Sequence, residues 1–116
     1  MTPTVLVVDD QDVVRDVIRL ALEEAGYKVI ETASPQHAIS LARDGQNDIG
    51  LLLTDVVMPE MDAFELAERI THEIPGVRVL YTSGYTDATA EGHFIQKPFT
   101  PAQIVAKVGA ILAETP

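Results

Sequence analysis

Five short apolar runs, separated by segments with helical spacing, set the strongest limit on how this chain can fold. A parallel strand that is covered on both faces has a nearly continuous run of Val, Ile and Leu. Strand-like and helix-like segments that alternate along a chain are typical of βαβ units. We therefore predict an α/β fold with a doubly wound, five-stranded parallel sheet of the flavodoxin-like (βα)₅ type. The predicted strands are Thr4–Val8, Lys28–Thr32, Ile49–Thr54, Arg78–Thr82 and Phe94–Gln96.

Four helices are predicted from apolar spacing and from residues that start or stop a helix. The second helix is expected to start at Ser34-Pro35 and end at Gly45, and the third to start near Asp62. The last helix should begin at Thr100, with Gln103 completing a capping box. The first, at residues 11–25, should turn six apolar side chains toward the sheet: Val14, Val17, Ile18, Ala21, Leu22 and Ala25.

The connection between the fourth and fifth predicted strands is unusually short. If His93 belongs to the fifth strand, only residues 84–92 remain for the crossover. A complete βαβ crossover, including its helix, takes at least about 10–12 residues. We therefore predict that the helix between these strands is shortened to about one turn or is missing.

Charged residues follow three of the predicted strands. Asp9 and Asp10 follow the first strand, Asp55 follows the third, and Lys97 follows the fifth. The carboxyl ends of parallel strands meet at one edge of the sheet, so these side chains should lie close together. Three carboxylates repel one another, and a hard cation such as Mg²⁺ binds oxygen ligands of this kind. The pattern predicts a metal-dependent phosphoryl-transfer site.

Composition excludes several other classes of protein. The chain has 8 Lys and Arg against 18 Asp and Glu, and its formal charge of −10 disfavours direct contact with nucleic acid. It has no cysteine, which excludes disulfides and thiolate sites. No apolar run reaches the length of a membrane span, and the first residues lack the features of a signal peptide. We expect one cytoplasmic domain over residues 1–116, without membrane contact.

Four motifs follow one another along the chain: Val7-Val8-Asp9-Asp10, Leu53-Thr54-Asp55-Val56-Val57-Met58-Pro59-Glu60-Met61-Asp62, Thr82-Ser83-Gly84-Tyr85 and Lys97-Pro98-Phe99. Together they resemble the receiver domain of two-component response regulators. They occur in the order typical of that family and cover the whole chain. The chain is also similar to the receivers of hybrid histidine kinases. It departs from the family at Gln11, where an acidic residue is usual, at Ala63, where Gly is common, and in its truncated fourth helix.

The resemblance implies that Asp55 accepts a phosphoryl group from a histidine kinase or phosphotransfer protein. It implies that Asp10 and Asp55 bind Mg²⁺ or Mn²⁺ directly, that Asp9 acts through water, and that the backbone carbonyl of Val57 supplies another oxygen. Such a domain catalyses only its own phosphorylation and dephosphorylation and signals by conformational change. The downstream target stays open, as does the choice between a stand-alone regulator and a receiver from a longer hybrid kinase.

Further roles implied by the resemblance fall on the fourth and fifth strands. Lys97 would contact one phosphoryl oxygen, and the Ser83 hydroxyl would donate a hydrogen bond to another. The peptide bond before Pro98 is expected to be cis. Phe94 occupies the position of the family's switch aromatic, although an apolar residue in a short strand is equally expected as part of the core.

Two other functions are weighed against this one. Asp10 and Asp12 after an apolar strand also resemble the first motif of haloacid-dehalogenase-type phosphatases, with Asp10 as nucleophile and Asp12 as acid/base. The chain is too short for the cap and core of that family, and it lacks the late acidic pair. A non-phosphorylated adapter with a receiver fold is the other alternative. The complete set of acidic, hydroxyl and lysine residues argues against it.

Overall fold

A five-stranded parallel sheet runs through the computed structural model, which describes residues 3–45, 48–84 and 93–114. The strands are β1 (Thr4–Val8), β2 (Lys28–Thr32), β3 (Ile49–Asp55), β4 (Arg78–Ser83) and β5 (His93–Gln96). Their spatial order is β2-β1-β3-β4-β5, and every neighbouring pair is parallel. This arrangement confirms the predicted doubly wound sheet.

The helices in the described part of the chain are α1 (Asp12–Glu24), α2 (Pro35–Asp44), α3 (Ala63–Glu73) and α4 (Pro101–Leu112). Their predicted start and stop residues are confirmed. The Ser34 hydroxyl accepts a hydrogen bond from the His37 amide, and Gly45 ends α2 with a φ of +72°, a conformation that suits glycine. Thr100 and Gln103 form both hydrogen bonds of the capping box.

Apolar layers cover both faces of the sheet. One packs β1 and β3 against α2 and α3, and the other packs the same strands against α1 and α4. Leu52 contributes to the first layer, whereas Leu51 and Leu53 contribute to the second, because successive side chains of a strand point to opposite faces. With both faces covered by apolar layers, the polar groups of the central strands are concentrated at their carboxyl edge.

The predicted buried face of α1 is partly wrong. Ile18, Ala21 and Leu22 are buried as expected, but Val17 is 38% exposed and Ala25 is exposed as well. Apolar spacing identifies the side of a helix that faces the protein, but it does not fix how wide a stripe its neighbours cover. On α1 the row of side chains that other elements bury is narrower than the row of apolar side chains.

The short connection between β4 and β5 is confirmed, since β4 ends at Ser83 and β5 begins at His93. The four helices of the described residues fit a shortened or missing helix at this point. Residues 85–92, on which that prediction falls, lie outside the described residues. In the part of the chain that is described, no helix combines the length and hydropathy needed to cross a membrane.

Candidate functional site

The carboxyl ends of β1, β3 and β5 converge on the ammonium group of Lys97. Asp9 follows β1, and Asp55 ends the neighbouring strand β3. Lys97 follows β5 and reaches past the end of β4, so that its Nζ lies 3.0 Å from Asp55 Oδ2 and 3.6 Å from Asp9 Oδ2. The peptide bond between Lys97 and Pro98 is cis, as the resemblance implies. The structure therefore brings together the strand ends that the sequence singled out.

Three carboxylates form a compact group at this edge. Asp9, Asp10 and Asp55 each offer an oxygen, and these oxygens lie within 4.8 Å of one another. Asp9 and Asp55 are buried, whereas Asp10 is exposed. Asp9 Oδ2 is buried without a hydrogen-bond partner among the described residues. An unsatisfied buried carboxylate oxygen beside two further carboxylates fits the ligand preference of a hard divalent cation.

Asp9 is held in place by three hydrogen bonds. Its amide donates to the Thr32 carbonyl (3.2 Å), and its Oδ1 accepts from the Gln11 amide (2.8 Å). Its carbonyl accepts from Arg15 Nη1 (2.8 Å), a contact that the sequence analysis missed. Burial raises the pKa of the Asp9 carboxyl; the Gln11 hydrogen bond and the Lys97 charge oppose this shift, and the charges of Asp55 and Asp10 reinforce it. The sequence signal for the contact between Arg15 and the Asp9 carbonyl was the position of this arginine, one turn into the helix that follows the acidic pair.

Neighbouring backbone groups fix the orientation of Asp55 and the start of the Lys97 side chain. Asp55 Oδ1 accepts a hydrogen bond from the Val57 amide (3.2 Å), which leaves Oδ2 for Lys97. The carbonyl of Ser83, a buried residue at the end of β4, accepts from the Lys97 amide (2.7 Å). Ser83 thus lies between the central and edge strands of the site. The Val57 carbonyl as a metal ligand and the Ser83 hydroxyl as a phosphoryl donor stay predictions.

Phe94 belongs to a cluster of three aromatic rings next to the site. Its ring stacks on Tyr81 with centroids 5.0 Å apart, and Phe64 of α3 packs against Tyr81 at 4.8 Å. Phe94 is half-buried and packs against the apolar layer under α2 and α3. Phe94 thus packs against the core without being fully buried in it, and its switch role stays a prediction.

Comparison with known proteins gives consistent matches. Residues 5–109 match the family model described as the response regulator receiver domain. The phosphate regulon transcriptional regulatory protein PhoB of Pseudomonas aeruginosa is 35% identical over 97% of this chain and 52% of its own length. The transcriptional regulatory protein SrrA of Staphylococcus aureus is 30% identical over 99% of this chain and 50% of its own length. The chain therefore spans about half the length of these curated relatives.

A solved structure agrees in both sequence and fold. The receiver domain of the hybrid histidine kinase CckA superposes with a TM-score of 0.84 at 30% identity, covering 94% of this chain and 98% of its own. These matches carry no support for the phosphatase or the adapter alternative.

Proposed function

Because this chain belongs to the response regulator receiver domain family, we propose that Asp55 is the residue that carries its phosphoryl group. Receiver domains are phospho-acceptors that take this group from histidine kinases or phosphotransfer proteins, and the chain is one of them. The observation that supports Asp55 is its place at the centre of the site. It adjoins Asp9 and Asp10 and lies 3.0 Å from the Lys97 ammonium.

The proposed reaction is a phosphoryl transfer to a carboxylate. An oxygen of Asp55 attacks the phosphorus of a phosphohistidine, the P–N bond breaks, and the imidazole nitrogen leaves with that electron pair. The product is an acyl phosphate on Asp55. Mg²⁺ or Mn²⁺, held by Asp9, Asp10, Asp55 and the Val57 carbonyl, would neutralise charge on the phosphoryl oxygens.

Lys97 and Ser83 have complementary parts in this proposal. The Lys97 ammonium already faces Asp55 and becomes a point charge for a phosphoryl oxygen once the acyl phosphate forms. The Ser83 hydroxyl donates a hydrogen bond to another oxygen. Movement of Ser83 toward the phosphoryl group would let Phe94 change its packing on Tyr81. Phosphorylation of Asp55 would thereby be coupled to a change at the protein surface.

The wider proposal is a cytoplasmic receiver domain over residues 1–116 with no catalytic activity beyond its own phosphorylation and dephosphorylation. Its partners are a phosphohistidine donor and a downstream protein. The formal charge of −10 argues against direct contact with nucleic acid.

Acetyl phosphate provides the direct test of the acceptor. Incubation with acetyl phosphate and Mg²⁺ should give a single phosphoryl adduct by intact-mass spectrometry. Reduction with borohydride followed by peptide mapping should place the modification on Asp55. An adduct on another residue, or none in the presence of Mg²⁺, contradicts the proposal.

We propose that the phosphohistidine donor docks on an apolar groove beside the site. Val13, Val14 and Val17 of α1 face the Lys97-Pro98-Phe99 turn across a groove of about 450 Å³. Val13 is 76% exposed, although it is apolar and lies beside an acidic site. A donor whose phosphorus comes within bonding distance of Asp55 must lie over this rim, because Lys97 contacts Asp55 and also lines the groove. We therefore assign the groove to the histidine-bearing surface of the donor.

The double variant Val13→Ser, Val17→Ser should separate docking from chemistry. Both side chains are exposed, so the fold should tolerate the change with a loss of stability below about 1 kcal/mol. Transfer from a cognate phosphorylated kinase should slow by about tenfold or more, because apolar contact at the centre of an interface is lost. Phosphorylation by acetyl phosphate, which needs no docking surface, should keep its rate. Equal slowing with both donors would place the effect on the site and contradict this assignment.

A further inference from the structure

Arg15 connects the first turns of α1 to the backbone of the acidic site. Its side chain is only 13% exposed, and its Nη1 donates a 2.8 Å hydrogen bond to the Asp9 carbonyl. Its Nη2 donates to Asp12 Oδ1 at 2.6 Å, and its Nε lies 3.7 Å from Glu31 Oε1 on β2. The guanidinium is therefore held from several sides while it contacts one main-chain oxygen.

That oxygen belongs to the peptide group that joins Asp9 to Asp10. Because a peptide group is planar, fixing the Asp9 carbonyl also fixes the direction of the Asp10 amide and limits where the Asp10 side chain can start. The other anchors of Asp9 lie on its own amide and its side chain. Among the hydrogen bonds of the described residues, only the one from Arg15 Nη1 is accepted by the carbonyl oxygen of this peptide group.

We propose that Arg15 is a positioning residue that orients the Asp9–Asp10 peptide so that both carboxylates bind one divalent cation. This inference rests on the proposed function, since it concerns the same metal site. Among the acidic residues of the site Arg15 contacts only the Asp9 carbonyl, so it would act on the metal site through the backbone. Asp10 needs such help more than Asp9 does, because Asp10 is exposed whereas the Asp9 side chain is buried and hydrogen-bonded.

Electrostatics and positioning predict opposite effects of removing Arg15. A cation close to the site repels a divalent metal ion, so loss of its charge alone should strengthen metal binding. Loss of an orienting contact should weaken it, and loss of an outer-shell partner typically costs 10–100-fold in metal affinity. The sign of the change therefore distinguishes the two roles.

Arg19 is a matched control on the same helix. It forms ion pairs with Glu31 (2.9 Å), Glu23 (3.0 Å) and Asp16 (3.7 Å). Within the described residues it makes no hydrogen bond to Asp9. Arg19→Gln thus removes a cation that shares Glu31 with Arg15 and leaves the Asp9 carbonyl contact in place.

The test is isothermal titration calorimetry with Mg²⁺ alone on the unphosphorylated protein. Arg15→Gln should bind Mg²⁺ about 10–100-fold more weakly than the wild type. Arg15→Lys should also bind more weakly, because one ammonium cannot hold the Asp9 carbonyl, Asp12 and Glu31 together as the planar guanidinium does. Arg19→Gln should bind at least as tightly as the wild type. The amide signals of Asp10 and Gln11 should shift in metal-free Arg15→Gln and not in Arg19→Gln.

The outcomes separate this inference from the function on which it rests. Unchanged or tighter Mg²⁺ binding by both Arg15 variants overturns the positioning role and leaves the metal site intact. Equal weakening in Arg19→Gln overturns it as well, because the effect would then follow charge or helix stability. Absence of Mg²⁺ binding by the wild type overturns the metal site itself.

Discussion

The Asp55→Asn variant is expected to form no phosphoryl adduct with acetyl phosphate or with a phosphohistidine donor. A carboxamide has nearly the same size as a carboxylate but lacks the nucleophilic oxygen. The remaining carboxylates are not expected to replace it, because the Lys97 ammonium lies closer to Asp55 Oδ2 (3.0 Å) than to Asp9 Oδ2 (3.6 Å) and Asp10 is exposed. Intact-mass spectrometry after incubation with Mg²⁺ and either donor measures the loss.

Asp10→Asn is the matched control for this experiment. It leaves the Asp55 nucleophile in place and weakens the metal site, so the adduct should still form, but more slowly and with a need for more Mg²⁺. A phosphatase that used Asp10 as nucleophile would behave in the opposite way and would tolerate the change at Asp55. A persistent adduct in Asp55→Asn, or turnover of a phosphate ester that depends on Asp10, contradicts the proposed acceptor.

Magnesium is expected to stabilise the unphosphorylated protein strongly. In its absence the Lys97 ammonium lies within ion-pair distance of two of the three grouped carboxylates, Asp9 and Asp55, and Asp9 Oδ2 has no hydrogen-bond partner among the described residues. A ligand that binds only the folded state adds about 2.7 kcal/mol at a hundredfold excess over its dissociation constant. For a domain of this size that is a rise in melting temperature of roughly 10 °C. Thermal unfolding followed by circular dichroism, with and without Mg²⁺, measures it.

The Lys97→Met variant provides a second measurement of how positive charge offsets the repulsion between the carboxylates. Without the ammonium, the metal-free protein should lose roughly 2 kcal/mol, because Asp55 loses a charge-assisted hydrogen bond. The gain from Mg²⁺ should then be larger than in the wild type, since the metal becomes the only cation among the carboxylates. A melting temperature that does not respond to Mg²⁺ in either protein would show that the carboxylates do not form a metal site.

The strands and the residues at their carboxyl ends were predictable because short apolar runs bounded by turn or helix-start residues are typical of strands in a parallel sheet. The runs Thr4–Val8 and Lys28–Thr32 coincide with the observed strands, and the polar residues that follow apolar runs can only emerge at the carboxyl edge. The helix ends were predictable for a similar reason. Ser34, Gly45 and Thr100 each satisfy backbone groups locally, without help from distant parts of the chain.

The features that sequence did not predict depend on distances across the fold. Spacing placed Val17 on the apolar face of α1, but its exposure depends on how closely other elements approach that helix. The contact of Arg15 with the Asp9 carbonyl depends on the conformation of a long side chain and on the position of Glu31 on another strand. An arginine on a helix is usually solvated, so the only sequence signal for this contact was the position of Arg15 one turn after the acidic pair.

The Lys97 side chain extends from the end of edge strand β5, past β4, to Asp55 at the end of β3. β5 is only four residues long and pairs with β4, so the register of that pairing sets where the lysine side chain begins. A protein that binds along β5 and shifts this register would move the ammonium relative to Asp55, although it never touches the acidic residues. Suppose that a ligand binds at β5 and stabilises the phosphorylated form. By thermodynamic reciprocity, this ligand is itself bound more tightly when Asp55 is phosphorylated. The short edge strand β5 therefore lets a protein bound at the surface respond to the phosphorylation state of Asp55.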